Sequence, residues 1–104
     1  MESRAPESLN CESPDSDTLA LSGALTFANA AQVFDQAGRA LREGAQTRLD
    51  LAGVTRADSA GLACVLALLA QVRRTGRPLR ATRLPANLSA LAEVCDARGL
   101  LEAA

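Results

Sequence analysis

Apolar and polar residues alternate over Thr18-Leu19-Ala20-Leu21-Ser22 and again over residues 47–51, so that Leu19 with Leu21, and Leu49 with Leu51, share a face. A period of two is the signature of a half-buried strand. Leu9-Asn10-Cys11 predicts a short edge strand. Glu12-Ser13-Pro14-Asp15-Ser16-Asp17 is rich in turn formers and closes a hairpin onto the strand at 18–22, which Gly23 is expected to end. The period then changes. Ala30, Val33, Phe34, Ala37 and Leu41 recur at helical spacing, while Gln32, Asp35, Gln36 and Arg39 fall elsewhere. This predicts an amphipathic helix capped by Thr26 and finishing near Gly44.

The stretch Leu49-Asp50-Leu51-Ala52-Gly53-Val54-Thr55-Arg56-Ala57-Asp58-Ser59-Ala60-Gly61-Leu62 reads as a strand, a short turn and the start of a helix running to about Thr75. Asp50, between two inward leucines, is expected to reach solvent or a nearby amide. Asp58 and Ser59 both suit the N-cap, where a side-chain oxygen accepts from a free amide of the first turn. Gly61 leaves the backbone of that turn uncovered for another molecule to approach. Leu62, Val65, Leu66, Leu69 and Val72 form one face of this helix, and Cys64, Ala67 and Leu68 make its other side apolar as well. Such a helix is either deeply buried or covered by a partner. Burial on every side is hard to arrange in so small a domain, which makes Cys64 and Leu68 interface candidates beside ordinary core packing. Arg73-Arg74-Thr75-Gly76 ends the helix.

Residues 78–84 predict another strand with Leu79, Ala81 and Leu84 inward. Pro85 fits the first position of a last helix, whose apolar face is Leu88, Leu91, Ala92 and Cys95 and which stops near Gly99. Leu100 and Leu101 are expected to pack. The order β-β-α-β-α-β-α implies parallel pairing with right-handed crossovers after the hairpin. The expected architecture is α/β, a small mixed sheet covered mainly on one side by helices. It forms one domain over residues 9–104 after a flexible polar segment, residues 1–8.

Composition narrows the function. Of the 104 residues 48% are hydrophobic, enough for a real core, and the core is aliphatic because Phe27 and Phe34 are the aromatic residues. Net charge is −1, and few rings are available for base stacking, so a nucleic-acid platform is not expected. The chain has no histidine, which removes the usual general base and the commonest zinc ligand. Cys11, Cys64 and Cys95 lack metal-ligand spacing and read as reduced thiols. No metal, cofactor or catalytic residue is expected, and the protein should be soluble and intracellular. Arg73, Arg74, Arg77, Arg80 and Arg83 form a basic stretch with no acid among them, either a solvated face or a surface for anionic headgroups or an acidic partner.

The order of elements, with Leu21-Ser22-Gly23-Ala24-Leu25 early and Leu49-Asp50-Leu51-Ala52-Gly53-Val54 leading into Asp58-Ser59-Ala60-Gly61-Leu62, resembles the STAS domain over roughly residues 9–101. That family includes bacterial anti-sigma-factor antagonists and the cytoplasmic tails of sulfate transporters. Arg56 departs from it, standing where many STAS domains carry an apolar residue. The short form with Asp17-Thr18-Leu19-Ala20-Leu21-Ser22-Gly23 is most similar to the STAS subunit of a Gram-negative phospholipid-transport ABC system. The resemblance implies a non-catalytic cytoplasmic subunit that binds the ATPase and supports its assembly or activity. It would meet the permease complex and the inner membrane only through that partner. The candidate partner-binding set is Asp58, Ser59, Ala60 and Gly61, with Cys64 and Leu68 from the second helix face. In the antagonists the serine matching Ser59 is the phosphoacceptor, which implies a switched binding module as the alternative function.

Overall fold

The computed structural model describes residues 9–96 and Gly99. Elements follow in the expected order: β1 (Leu9–Asp15), β2 (Thr18–Leu25), α1 (Ala30–Glu43), β3 (Arg48–Ala57), α2 (Ser59–Arg73), β4 (Arg80–Thr82) and α3 (Ala86–Val94). The sheet has the order β1-β2-β3-β4. The hairpin β1–β2 is antiparallel, and β2–β3 and β3–β4 are parallel. Leu19, Leu21, Leu25, Leu49, Leu51, Val54 and Ala81 face a core closed by Val33, Ala37 and Leu41 of α1, by α2, and by Leu88 and Ala92 of α3. The opposite sheet face carries Ala20, Ser22, Arg48, Asp50, Ala52 and Thr82, and each keeps some exposure. The helices thus cover mainly one side.

Several boundaries differ from the pattern reading, each for a pairing reason. β1 runs on to Asp15, so the turn shrinks to its last residues, where Asp17 N–H donates to Asp15 Oδ1 at 2.9 Å. Gly23 does not end β2. It has φ +106 inside the strand, where it pairs with Leu9 on one side and Val54 on the other, and the β2–β3 register shifts beside it. Only a residue without a side chain adopts that conformation readily while staying in a ladder. Nor does β3 break into a turn after Leu51: continued pairing with β2 carries it to Ala57, with Asp58 alone between it and α2. β4 is shorter than expected because Arg83, at φ +56, turns the chain out of the ladder, although Leu79 and Ala81 are buried as their spacing predicts. α1 starts after Asn29 rather than at Thr26. Asn29 Oδ1 accepts from Thr26 N–H and its Nδ2 donates to Ala24 O, both at 2.9 Å, fastening the loop instead of capping the helix. Pro85 is the N-cap of α3 and not its first helical residue. Asp50 reaches the Ala52 amide at 3.0 Å and Arg83 Nε at 3.3 Å.

The largest correction concerns α2. It lies on the sheet with α1 and α3 beside it, so three of its sides are covered. Leu68 is 0% and Cys64 6% exposed, and the Cys64 thiol donates to Ala30 O of α1. Both side chains belong to the core, and neither is available to a partner as a surface contact. The side left open carries Ser59, Ala63, Ala67, Ala70 and Arg74, a stripe of small and polar residues. Cys95, expected on the apolar face of α3, is exposed at its C-cap, and Val94 before it is exposed too. Leu100 and Leu101 lie outside the described residues. Because Leu68 is sealed, Leu68→Ala should cost about 2–5 kcal/mol in denaturant unfolding. Leu68→Glu should fail to give a cooperative transition at all. A Leu68→Glu protein that melts like the wild type would contradict this placement.

Candidate functional site

The carboxyl ends of β2 and β3 and the N-termini of α1 and α2 meet at one end of the molecule, the place where α/β sheets commonly receive ligands and partners. Asp58 links them. It is the N-cap of α2, with extended backbone at φ −126 and ψ −172. Its Oδ1 accepts from Gly61 N–H at 3.0 Å, within its own helix turn. Its Oδ2 accepts from Phe27 N–H at 3.1 Å, across the gap to the β2–α1 loop. One carboxylate therefore clamps two segments together. The Phe27 amide acts most strongly and holds the carboxyl below its ordinary value of 3.8; burial opposes it, and the weaker pull of the helix-turn amides adds to the lowering.

With Asp58 as the cap, Ser59 is not one. It is the first residue of α2 and is exposed, with no hydrogen bond to its side chain among the described residues. Its hydroxyl thus stands free beside amide groups carrying partial positive charge, a position that suits a phosphoryl group or a partner's acceptor. Ala60 is half-buried next to it. Gly61 is not open to an outside molecule. A Cβ there would strike the carbonyl oxygen of Leu25, so the glycine admits the end of β2 and is buried by it.

Pattern reading missed Phe27. It is 83% exposed, and its backbone is held by Asp58 beside the start of α2. An aromatic side chain exposed beside that clamp is the kind of residue that a partner's pocket can bury. The available signal was its spacing: Phe27 falls after the alternation of β2 and outside the helical series 30, 33, 34, 37 and 41.

Burial governs two of the three cysteines. Burial first, and the neighbouring Cys11 second, push the Cys64 thiol up to about 11, and burial also raises Cys11. A thiol in that state is a poor nucleophile. Among the described residues no His, Cys, Asp and Glu cluster could hold a metal ion. The basic stretch is divided by the fold. Arg77 donates to Leu41 O at 2.8 Å and Gly44 O at 2.9 Å, closing the end of α1, and Arg73 Nε donates to Leu79 O at 3.0 Å. Arg83 turns to Asp50, while Arg74 and Arg80 are exposed.

Two outcomes follow from this geometry. Asp58→Ala should lower stability by about 1 kcal/mol at neutral pH. A carboxyl depressed in the folded state contributes stability above its unfolded value and loses it as pH falls through the folded one. The gap between variant and wild type should therefore narrow in melts taken below the ordinary value of 3.8. A gap unchanged by pH would show that the carboxylate is not what clamps the loop. In thiol labelling with a disulfide reagent, Cys95 should react at once and Cys64 only on unfolding; fast loss of the Cys64 thiol in the native protein would contradict its burial.

Comparison with known proteins bears on the fold and the family. No curated protein sequence matches the chain. Among solved structures, the anti-sigma-factor antagonist SpoIIAA in its unphosphorylated form superposes with a TM-score of 0.67 at 15% identity, covering 86% of this chain and 82% of that one. The Bacillus cell fate determinant SpoIIAA in the phosphorylated form gives 0.63 at 15% identity, covering 86% and 85%. At that identity the likeness is one of fold. A sequence model of the family described as "Mlab, STAS domain" matches residues 11–102. Nearly the whole chain is thus spanned by one family, and the protein is a member of the MlaB-like STAS domain family.

Proposed function

We propose that this chain is a non-catalytic cytoplasmic subunit that docks through the tip built from Phe27, Asp58, Ser59 and Ala60. Its partner in this reading is the ATPase of an Mla-type phospholipid-transport ABC system, the MlaF-like subunit. Through that ATPase it joins the permease complex at the inner membrane and supports lipid transport that maintains outer-membrane asymmetry. The observation that carries a docking role is the clamp: one carboxylate holds an exposed aromatic beside an exposed, uncapped serine at a helix start. The family match under the MlaB name favours the transporter as the setting. STAS domain proteins are generally regulators without catalysis, and the absence of histidine is consistent with that class.

A second reading is an anti-sigma-factor antagonist switched by phosphorylation of Ser59. It is favoured by the exposed hydroxyl and by the fold shared with SpoIIAA, a protein solved in phosphorylated and unphosphorylated forms. A phosphate would gain from the helix N-terminus and place about −2 charge on the docking surface. Affinity capture from the native host separates the two readings, since one predicts an ABC ATPase and the other a kinase-type anti-sigma factor.

Variants at the tip test the surface itself by calorimetry against the ATPase. Ser59→Ala should leave stability within about 0.5 kcal/mol of wild type, because Asp58 is the cap. Ser59→Asp should hold or slightly raise stability, its charge suiting the helix start, and weaken docking by more than about tenfold. Phe27→Ala should leave the fold intact and cost about 2 kcal/mol of binding. Wild-type affinity in both Ser59→Asp and Phe27→Ala would place the interface elsewhere.

A further inference from the structure

The end of the domain opposite Ser59 is organised differently. α2 runs about 22 Å from the tip to this end at 1.5 Å per residue. Here α1 and α2 finish and β3 and β4 begin, as the Arg80 N–H to Thr47 O bond shows. Arg42, Arg48, Arg73, Arg74, Arg77 and Arg80 are gathered on these few segments. Three of them have structural work. Arg77 closes α1, Arg73 holds Leu79 O, and Arg48 Nε donates to Thr18 Oγ1. Arg42, Arg74 and Arg80 are exposed, with no ion pair to any of them among the described residues.

Between the ends of α1 and α2 lies a cleft of about 380 Å³, lined by Leu41, Arg42, Gln71, Val72, Thr75 and Arg77. Its chemistry is amphipathic. Leu41 and Val72 are core residues, the long side chains contribute carbon stems, and two guanidinium groups stand at its wall. Arg77 Nε is buried there without a hydrogen-bond acceptor. An unpaired buried donor is costly, and Arg77 carries that cost while its other two nitrogens close α1.

We propose that this end is a second docking surface, which takes an acidic segment of a partner protein with one aliphatic side chain seated in the cleft. The cationic rim supplies the charge complementarity and the concave, carbon-lined interior the seat. A bilayer fits less well. It presents a uniformly negative plane with nothing to enter a cleft, and Asp15, Asp17 and Glu43 on the same end would face it in repulsion. A peptide can place its carboxylates away from those acids. The surface is separate from the Ser59 tip, so the domain could hold two partners, or two parts of one, at once.

The test uses the intact protein and fluorescence anisotropy of a labelled synthetic peptide of Asp and Glu with one central Leu. Wild type should bind it. The same peptide with Ser in place of Leu should bind at least about fivefold more weakly. The double variant Arg42→Glu with Arg74→Glu should lose at least about tenfold. Thr75→Phe, which keeps every arginine and fills the cleft, should also lose binding, with the fold of each variant checked by its melting curve. Ser59→Asp should bind like wild type, which keeps this result distinct from docking at the tip. Absent binding of the Leu peptide, equal binding of the Leu and Ser peptides, or unchanged binding by Thr75→Phe would each overturn the proposal. So would co-sedimentation with phosphatidylserine–phosphatidylcholine vesicles without peptide binding, which would assign the arginines to a membrane surface.

Discussion

The start of α2 rests directly on the end of β2, with no side chain between them. Gly61 makes that possible, because any Cβ at its position would meet the Leu25 carbonyl. The contact sets how closely the central helix lies on the sheet. Leu62, Val65, Leu69 and Val72 share one core with Leu19, Leu49 and Leu51 of the sheet. It also brings the β2–α1 loop within reach of the α2 N-cap. Asp58 then closes the remaining gap with two amide bonds. Packing and chemistry at the tip are therefore one arrangement: the small residue sets the distance and the carboxylate uses it.

A small domain with a helix apolar on nearly every side must cover three sides of it. This chain does so by placing α1 and α3 beside α2 and leaving alanines on the fourth. Alanine in a water-facing helix position exposes little apolar area and has the best helix propensity, so the stripe is tolerable without a partner. The cost of crowding appears at the helix ends. α1 finishes against the segment that leads into β4, where its last carbonyls lack intrahelical donors. Arg77 answers two carbonyls with one guanidinium, whose planar fork of donors suits a helix C-terminus. Basic residues close in sequence thus divide between closing helices, pairing Asp50 and lining a cleft.

Local periodicity was enough to specify the order of elements, the hairpin, the inward leucines of the strands and the buried series of α1. Each of those depends on which side of an element faces the core, and side-chain spacing records that directly. The residues Asp58-Ser59 were legible as the polar start of a helix for the same reason. Lengths of the paired strands were not. Gly23 looks like a terminator in sequence, and it stays in the sheet because β1 and β3 hold it from both sides.

Tertiary structure alone decided the rest, because each remaining question asks which distant segments touch. Leu68 and Cys64 look surplus to one helix face until α1 is placed against them. Phe27 belongs to no periodic series in sequence, and only the folded loop shows that it stands in water. Asp58 and Ser59 compete equally for the cap in sequence, and Asp58 takes it by also reaching the Phe27 amide, a residue 31 positions earlier. That second bond leaves the serine hydroxyl uncommitted. Sequence determined that a polar helix start would stand at the end of β3; a long-range hydrogen bond determined which of its residues is structural and which is left for another molecule.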